Sequence, residues 1–131
     1  MLTNQELIAA AIQARTKAYA PYSQYQVGAA LLGKSGKIYT GCNVENASFG
    51  ATVCAERCAA VKAVSEGETD FEALAVVVGG PKPASPCGIC RQFLAEFGTD
   101  LRLLLANLDG QIIETTLQHY LPEAFTPKNM E

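Results

Sequence analysis

The run Leu74 to Val78, apolar throughout and containing three valines, constrains the fold more than any other segment. A strand with one wet face alternates apolar and polar residues. An unbroken β-branched run needs cover on both faces and reads as the centre of a sheet. Helices must supply that cover. Thr3 and Glu6 form a capping-box pattern ahead of Leu7, Ile8, Ala11 and Ile12, which share one helical face and predict a helix over about Asn4–Lys17. The alanine-rich stretch Val53–Glu66, with Val61 and Val64 as its apolar face and Gly67 as its stop, predicts a second. After a loop rich in Pro and Gly, Gly79–Ser85, Pro86 at a first helical position predicts a third, running to about Phe97.

The remaining strands follow from turn chemistry. Val27–Leu32 and Lys37–Cys42 flank the turn Lys34, Ser35 and Gly36 and predict an antiparallel hairpin. Leu101–Ala106 and Gln111–Thr116 flank the turn Asn107–Gly110, and a short helix at Leu117–Tyr120 precedes a tail expected to be irregular. The order implies an α/β fold, a mixed sheet of about five strands between helical layers, in a single domain over residues 1–131. A chain of this length buries about two thirds of its unfolded surface and needs no disulfide to hold a core.

Ten basic residues against thirteen acidic ones give a formal net charge of −3, with no run of lysines or arginines, which argues against a long polyanion as partner. Met1 to Glu6 lack the basic start of a secretion signal, and the longest apolar run is far too short to span a bilayer, so a cytoplasmic protein without a membrane partner is expected. Five cysteines, an odd set without an export signal, point to metal binding or catalysis rather than to a disulfide framework. His119 is the only histidine, so any metal site must lean on thiolates and carboxylates.

Two segments concentrate that chemistry. Pro86-Cys87-Gly88-Ile89-Cys90 places two thiols three residues apart at a helix start, where they share a face and can reach one metal ion. The helix start favours their thiolate forms. Upstream, Cys54 and Glu56 stand at the start of the preceding predicted helix, so two helix starts can converge on one ion. Three thiolates leave one tetrahedral position open, as catalytic zinc sites do and structural ones do not. Glu56, two positions beyond Cys54, points elsewhere and is free to handle protons.

With these motifs the sequence resembles the zinc-dependent nucleoside deaminases, and within them the small cytidine deaminases. The resemblance runs through Tyr22–Leu32 (YSQYQVGAALL), Gly41–Ser48 (GCNVENAS), Cys54–Arg57 (CAER), Ser85–Gln92 (SPCGICRQ) and Leu121–Phe125 (LPEAF). The Cys-x-Glu element followed by Pro-Cys-x-x-Cys is the all-cysteine form of the zinc deaminase signature. The resemblance implies a three-layer α-β-α sandwich that hydrolyses cytidine and 2'-deoxycytidine to their uridine counterparts with release of ammonia, as part of pyrimidine salvage. It implies one zinc ion per subunit, held by Cys54, Cys87 and Cys90 with water as fourth ligand, and Glu56 as the proton shuttle. It also implies that Asn43 and Glu45, alternate residues of an extended segment, bind sugar hydroxyls, chiefly the 3'-hydroxyl. The Ala55 backbone would help to read the base, and Phe125 would reach a neighbouring subunit's pocket in a homotetramer.

Tyr25, among the substrate-binding positions, stands where the family more often has Phe, and Phe49 where it more often has Tyr. The exchange bears on base and sugar contacts and leaves the metal chemistry untouched. Three thiolates against one dication weaken the ion as a Lewis acid, and Arg57 is the candidate to withdraw their charge by donating to sulfur. Cys42 and Cys58 lack a spaced partner and are expected in the core. Three rivals share parts of this pattern. Deamination of a cytosine antibiotic such as blasticidin S is disfavoured by the ENAS segment, and a polynucleotide editor by the acidic balance. A structural zinc module would need a fourth protein ligand, from Cys42, Cys58 or His119.

Overall fold

A computed structural model of the chain describes residues 2–131. It contains helices α1 (Asn4–Arg15), α2 (Ala55–Ser65), α3 (Gly88–Ala95) and α4 (Leu117–Tyr120). Strands β1 (Val27–Gly33), β2 (Ile38–Cys42), β3 (Phe71–Val78), β4 (Arg102–Asn107) and β5 (Ile112–Thr116) form one mixed sheet in the order β2-β1-β3-β4-β5. β3 lies at its centre, as the apolar run requires, antiparallel to β1 and parallel to β4 across the α3 crossover. No helix among the described residues is long and apolar enough to cross a membrane.

Alternate residues of the strands feed two cores. Ala30, Ala73, Ala75, Val77, Leu104 and Ala106 face Leu7, Ile8 and Ala11 of α1. Ala29, Leu31, Leu74, Val76, Leu103 and Leu105 face Ala55, Ala59, Ala60 and Ala63 of α2 and Leu94 and Ala95 of α3. The result is the expected three-layer α-β-α sandwich. Each fully buried Leu or Val contributes about 1.5–3 kcal/mol relative to exposure.

The first and second helices bury less of their larger apolar residues than the periodicity predicts. On α2 the alanines carry the contact, while Val61 and Val64 are exposed; on α1, Ile12 is likewise exposed. Small residues let backbones approach closely. A Cβ on Gly41 of β2 would stand 2.5 Å from the Ala59 nitrogen, and one on Gly28 of β1 would stand 2.0 Å from the Ala11 carbonyl oxygen. Both helices therefore press onto the hairpin from opposite sides.

Element ends differ from expectation for identifiable reasons. The Thr3–Glu6 capping box forms, but α1 ends at Arg15 rather than Lys17, because the Thr16 hydroxyl donates to the Gln13 carbonyl and the Lys17 N–H to that of Ala14. α2 starts two residues late because Val53 instead exchanges two backbone hydrogen bonds with Val44, each 2.9 Å. Pro86 lies outside α3, its carbonyl taken by the Arg91 side chain at 2.7 Å, and the helix stops at Ala95 rather than Phe97. β3 extends back to Phe71. The tail is not wholly irregular: Thr126 and Asn129 close a capping box on a 3₁₀ turn at Pro127–Met130. A second unexpected 3₁₀ turn spans Phe49–Ala51.

Candidate metal centre and nucleoside cleft

The starts of α2 and α3 are both occupied by cysteine. Cys54 (φ −72°, ψ 155°) and Cys87 (φ −66°, ψ 167°) are extended residues that precede the first helical turn, and neither side chain caps its own helix. Their sulfurs are left to face one another, 3.7 Å apart. Cys90, one turn into α3, is fully buried, and its Sγ joins the other two in a cluster in which all three lie within 4.8 Å of one another. No other His, Cys, Asp or Glu among the described residues belongs to it.

The cluster can coordinate a metal ion, and its dimensions and charges suit one. Two thiolates at ~2.3 Å from a tetrahedral zinc lie ~3.8 Å apart, close to the Cys54–Cys87 separation. The Cys54 thiol is pulled down to about 5, by the hydrogen bond it shares with Cys90 and then by bonds from Arg57 and Cys87, against the effect of burial. The same shared bond, with burial, pushes Cys90 up. Sulfurs packed this closely cannot all ionise unless a cation lies among them. Arg57 donates from Nη2 to Cys54 Sγ at 3.8 Å and to the Thr52 carbonyl at 3.1 Å. Its Nε is buried without any partner. A spare donor on a side chain already bonded to sulfur fits a cluster that bears negative charge.

Glu56, the second residue of α2, is 5% exposed. Burial, with the nearby Cys54 as a lesser contribution, raises its carboxyl to about 7. It lines a cleft of about 260 Å³ with Cys54, Ala55 and Cys87. Val76 and Val78 of β3 also line it, with Ala84 and Ser85 from the loop before α3. Tyr25, Asn43 and Glu45 line it as well. This half-open space suits a small molecule.

Asn43 is more constrained than its sequence position suggests. Its Oδ1 accepts from the Val27 N–H at 2.9 Å and its Nδ2 donates to the Tyr25 carbonyl at 2.8 Å. One lone pair and one N–H remain for a ligand. Glu45 is held at Oε1 by the N–H groups of Tyr22 (2.9 Å) and Ser23 (3.1 Å), and at Oε2 by the Ser23 hydroxyl. These bonds, the Ser23 hydroxyl foremost, hold its carboxyl below the usual range. Ser23 was not singled out by sequence reasoning, and no short-range pattern links it to Glu45.

Phe125 does not line the cleft and is 61% exposed, so it is not part of this chain's core. Phe49, 73% exposed, meets the Tyr22 ring edge-on at 5.8 Å. Cys42 and Cys58 are half-buried rather than in the core, since they line an open groove beside Lys17 and Lys62. His119 is exposed on α4.

Comparison with known proteins agrees with this arrangement. Residues 1–105 match the family described as the cytidine and deoxycytidylate deaminase zinc-binding region. A cytidine deaminase of Halalkalibacterium halodurans is 52% identical over 130 residues, 98% of each chain. One of Sporosarcina psychrophila is 50% identical over 127 residues, covering 96% of this chain and 93% of its own. Among solved structures, cytidine deaminase from Burkholderia pseudomallei superposes with a TM-score of 0.92 at 47% identity, covering 95% of this chain and all of that one.

Proposed function

The chain belongs to the small zinc-binding cytidine deaminase family, and from that premise we propose that it hydrolyses cytidine and 2'-deoxycytidine to uridine and 2'-deoxyuridine, releasing ammonia. The observation that carries the reading is the buried Glu56 carboxyl, raised to about 7, beside a cluster of three sulfurs that can hold a metal ion. A carboxyl titrating near neutrality both takes and returns protons efficiently at physiological pH.

Cys54, Cys87 and Cys90 are the residues that would hold zinc, one ion per chain. Bound there, zinc supplies the Lewis acidity that makes water a nucleophile near neutral pH. Glu56 removes one proton from the attacking water and delivers it to ring N3 as the C4–O bond forms. It then takes the second proton from the new C4 hydroxyl and passes it to the departing amine, as the C4–N bond breaks and the C4 carbonyl forms. The Ala55 backbone at the start of α2 lies against the base edge. The spare N–H of Asn43 and the Glu45 carboxylate take the 3'-hydroxyl, and Tyr25 packs at the cleft mouth. A contact made through the 3'-hydroxyl accepts both sugars. Arg57 withdraws charge from the thiolates.

The exposed rings of Phe49 and Phe125 and the exposed side chain of Ile89 support assembly of the 131-residue unit into a homotetramer, with Phe125 against a neighbour's cleft. We place its work in the cytoplasm, in pyrimidine salvage. The absence of a fourth protein ligand among the described residues favours this reading over a structural zinc module. The deciding experiment incubates the purified protein with cytidine, with and without a chelator, and assays uridine and ammonia. Both products should form and chelation should stop them; a zinc-loaded protein that yields neither overturns the reading.

A further inference from the structure

Arg91 follows Cys90 directly, yet nothing in the proposed chemistry uses it. It is half-buried and pairs with no carboxylate among the described residues. Its guanidinium is instead spent on three neutral acceptors. Nε donates to the Pro86 carbonyl at 2.7 Å, Nη2 to the Ser85 hydroxyl at 2.9 Å, and Nη1 to the Tyr120 carbonyl at 3.1 Å. The Arg91 Cζ also stands 5.2 Å from the centre of the Tyr120 ring. A planar fork with five donors can serve acceptors from two chain segments at once, which an ammonium cannot do in fixed geometry.

The segments it joins have few other polar attachments. Among the described residues, no backbone–backbone hydrogen bond holds residues 81–86, and Arg91 alone supplies the side-chain bonds to that stretch. Ala84 and Ser85 line the cleft. On the other side, the chain after α4 turns through Glu123 at a positive φ of 53°. It is tied to α3 at the Tyr120 carbonyl by Arg91 and at the Phe125 carbonyl by Gln92, the next residue, at 2.8 Å.

We propose that Arg91 is a positioning residue which, by clasping Ser85, Pro86 and Tyr120 together, sets one wall of the substrate cleft and fixes the C-terminal segment to the loop that carries Cys87. The inference rests on the deaminase reading for its kinetic consequence, not for its structural one. Loss of the clasp frees a wall that contacts substrate and leaves Glu56 and the three sulfurs in place. Binding therefore suffers more than the chemical step.

The test compares Arg91→Ala and Arg91→Lys with the parent, each as zinc-loaded protein of measured metal content. In Arg91→Ala the KM for cytidine rises about tenfold with kcat changed by less than about threefold, the pattern of lost binding rather than a lost reacting group. The Kd of the product uridine weakens by the same factor. Backbone order parameters from 15N relaxation fall together in the non-proline residues of 82–87 and 118–125. Arg91→Lys, which reaches fewer acceptors at once, recovers only part of the KM. A folded Arg91→Ala with parental KM and uridine affinity overturns the proposal, as do lowered order parameters in one segment alone. Should Arg91→Ala fail to fold, Ser85→Ala removes one of the three bonds; it should raise KM about twofold to threefold, and a parental KM there is equally fatal. A parent that turns over no cytidine sinks the deaminase reading, while the order-parameter comparison still decides the clasp.

Discussion

Ser23 grips the Glu45 carboxylate twice, with its N–H on Oε1 at 3.1 Å and its hydroxyl on Oε2. All donors on this carboxylate favour its charged form, so its folded-state pKa lies below the ordinary one. The interaction is therefore present above the ordinary carboxylate pKa and is lost as pH falls through the depressed value. Ser23→Ala should move the Glu45 titration upward, read from its carboxyl carbon by NMR, and should shift the acid rise in KM for cytidine to higher pH. An unmoved titration would show that the hydroxyl does not hold the charge.

Glu56→Gln preserves size and hydrogen-bonding atoms but abolishes proton transfer. It should fold, keep its metal and lose about 10²- to 10⁴-fold in kcat. Turnover at the parental rate, with metal content verified, would remove Glu56 from the chemistry.

Cys90 contributes the fully buried sulfur of the cluster, so Cys90→Ala should abolish both stoichiometric zinc and turnover. Chelation of the parent should lower its thermal midpoint, because an ion bound only by the folded state stabilises it by mass action. Restoring zinc should restore the midpoint. Identical melting before and after complete metal removal would contradict the assignment.

Arg57→Ala removes the guanidinium donor from Cys54. The far-ultraviolet circular dichroism should be unchanged while zinc content or turnover falls. Full metal occupancy together with full activity would show that the thiolate charge needs no such offset.

The approach of β2 to α2 gives a prediction about stability alone. Gly41→Ala would place a carbon against helix backbone and should cost about 1–3 kcal/mol in urea unfolding. Gly50→Ala, where a Cβ meets nothing within 4 Å, should stay within about 0.5 kcal/mol. Equal midpoints for the two variants would contradict the close packing.

Much of this was legible in the sequence because its signals are local. The valine-rich run located β3, the Thr3–Glu6 pair located the start of α1, and the two cysteine motifs marked, to within two residues, the helix starts that meet at the three-sulfur cluster. Signals that depend on distant partners were not legible. Periodicity marked Val61 and Val64 as the buried face of α2, whereas the glycine at position 41 draws the alanine face inward. Pro86 looked like a first helical residue because the competing claim of Arg91 on its carbonyl is visible only in three dimensions. Ser23 lies in the Tyr22–Leu32 segment without any local sign of a role, and acquires its place through Glu45, twenty-two positions away.

Asn43 braces the strip of chain from Tyr25 to Val27 with the same amide that faces the cleft. Scaffold and cleft lining are thereby fused in one side chain, which cannot be exchanged without also loosening the strip it ties down. The cleft can be reshaped more freely at Tyr25, whose ring is not part of that brace.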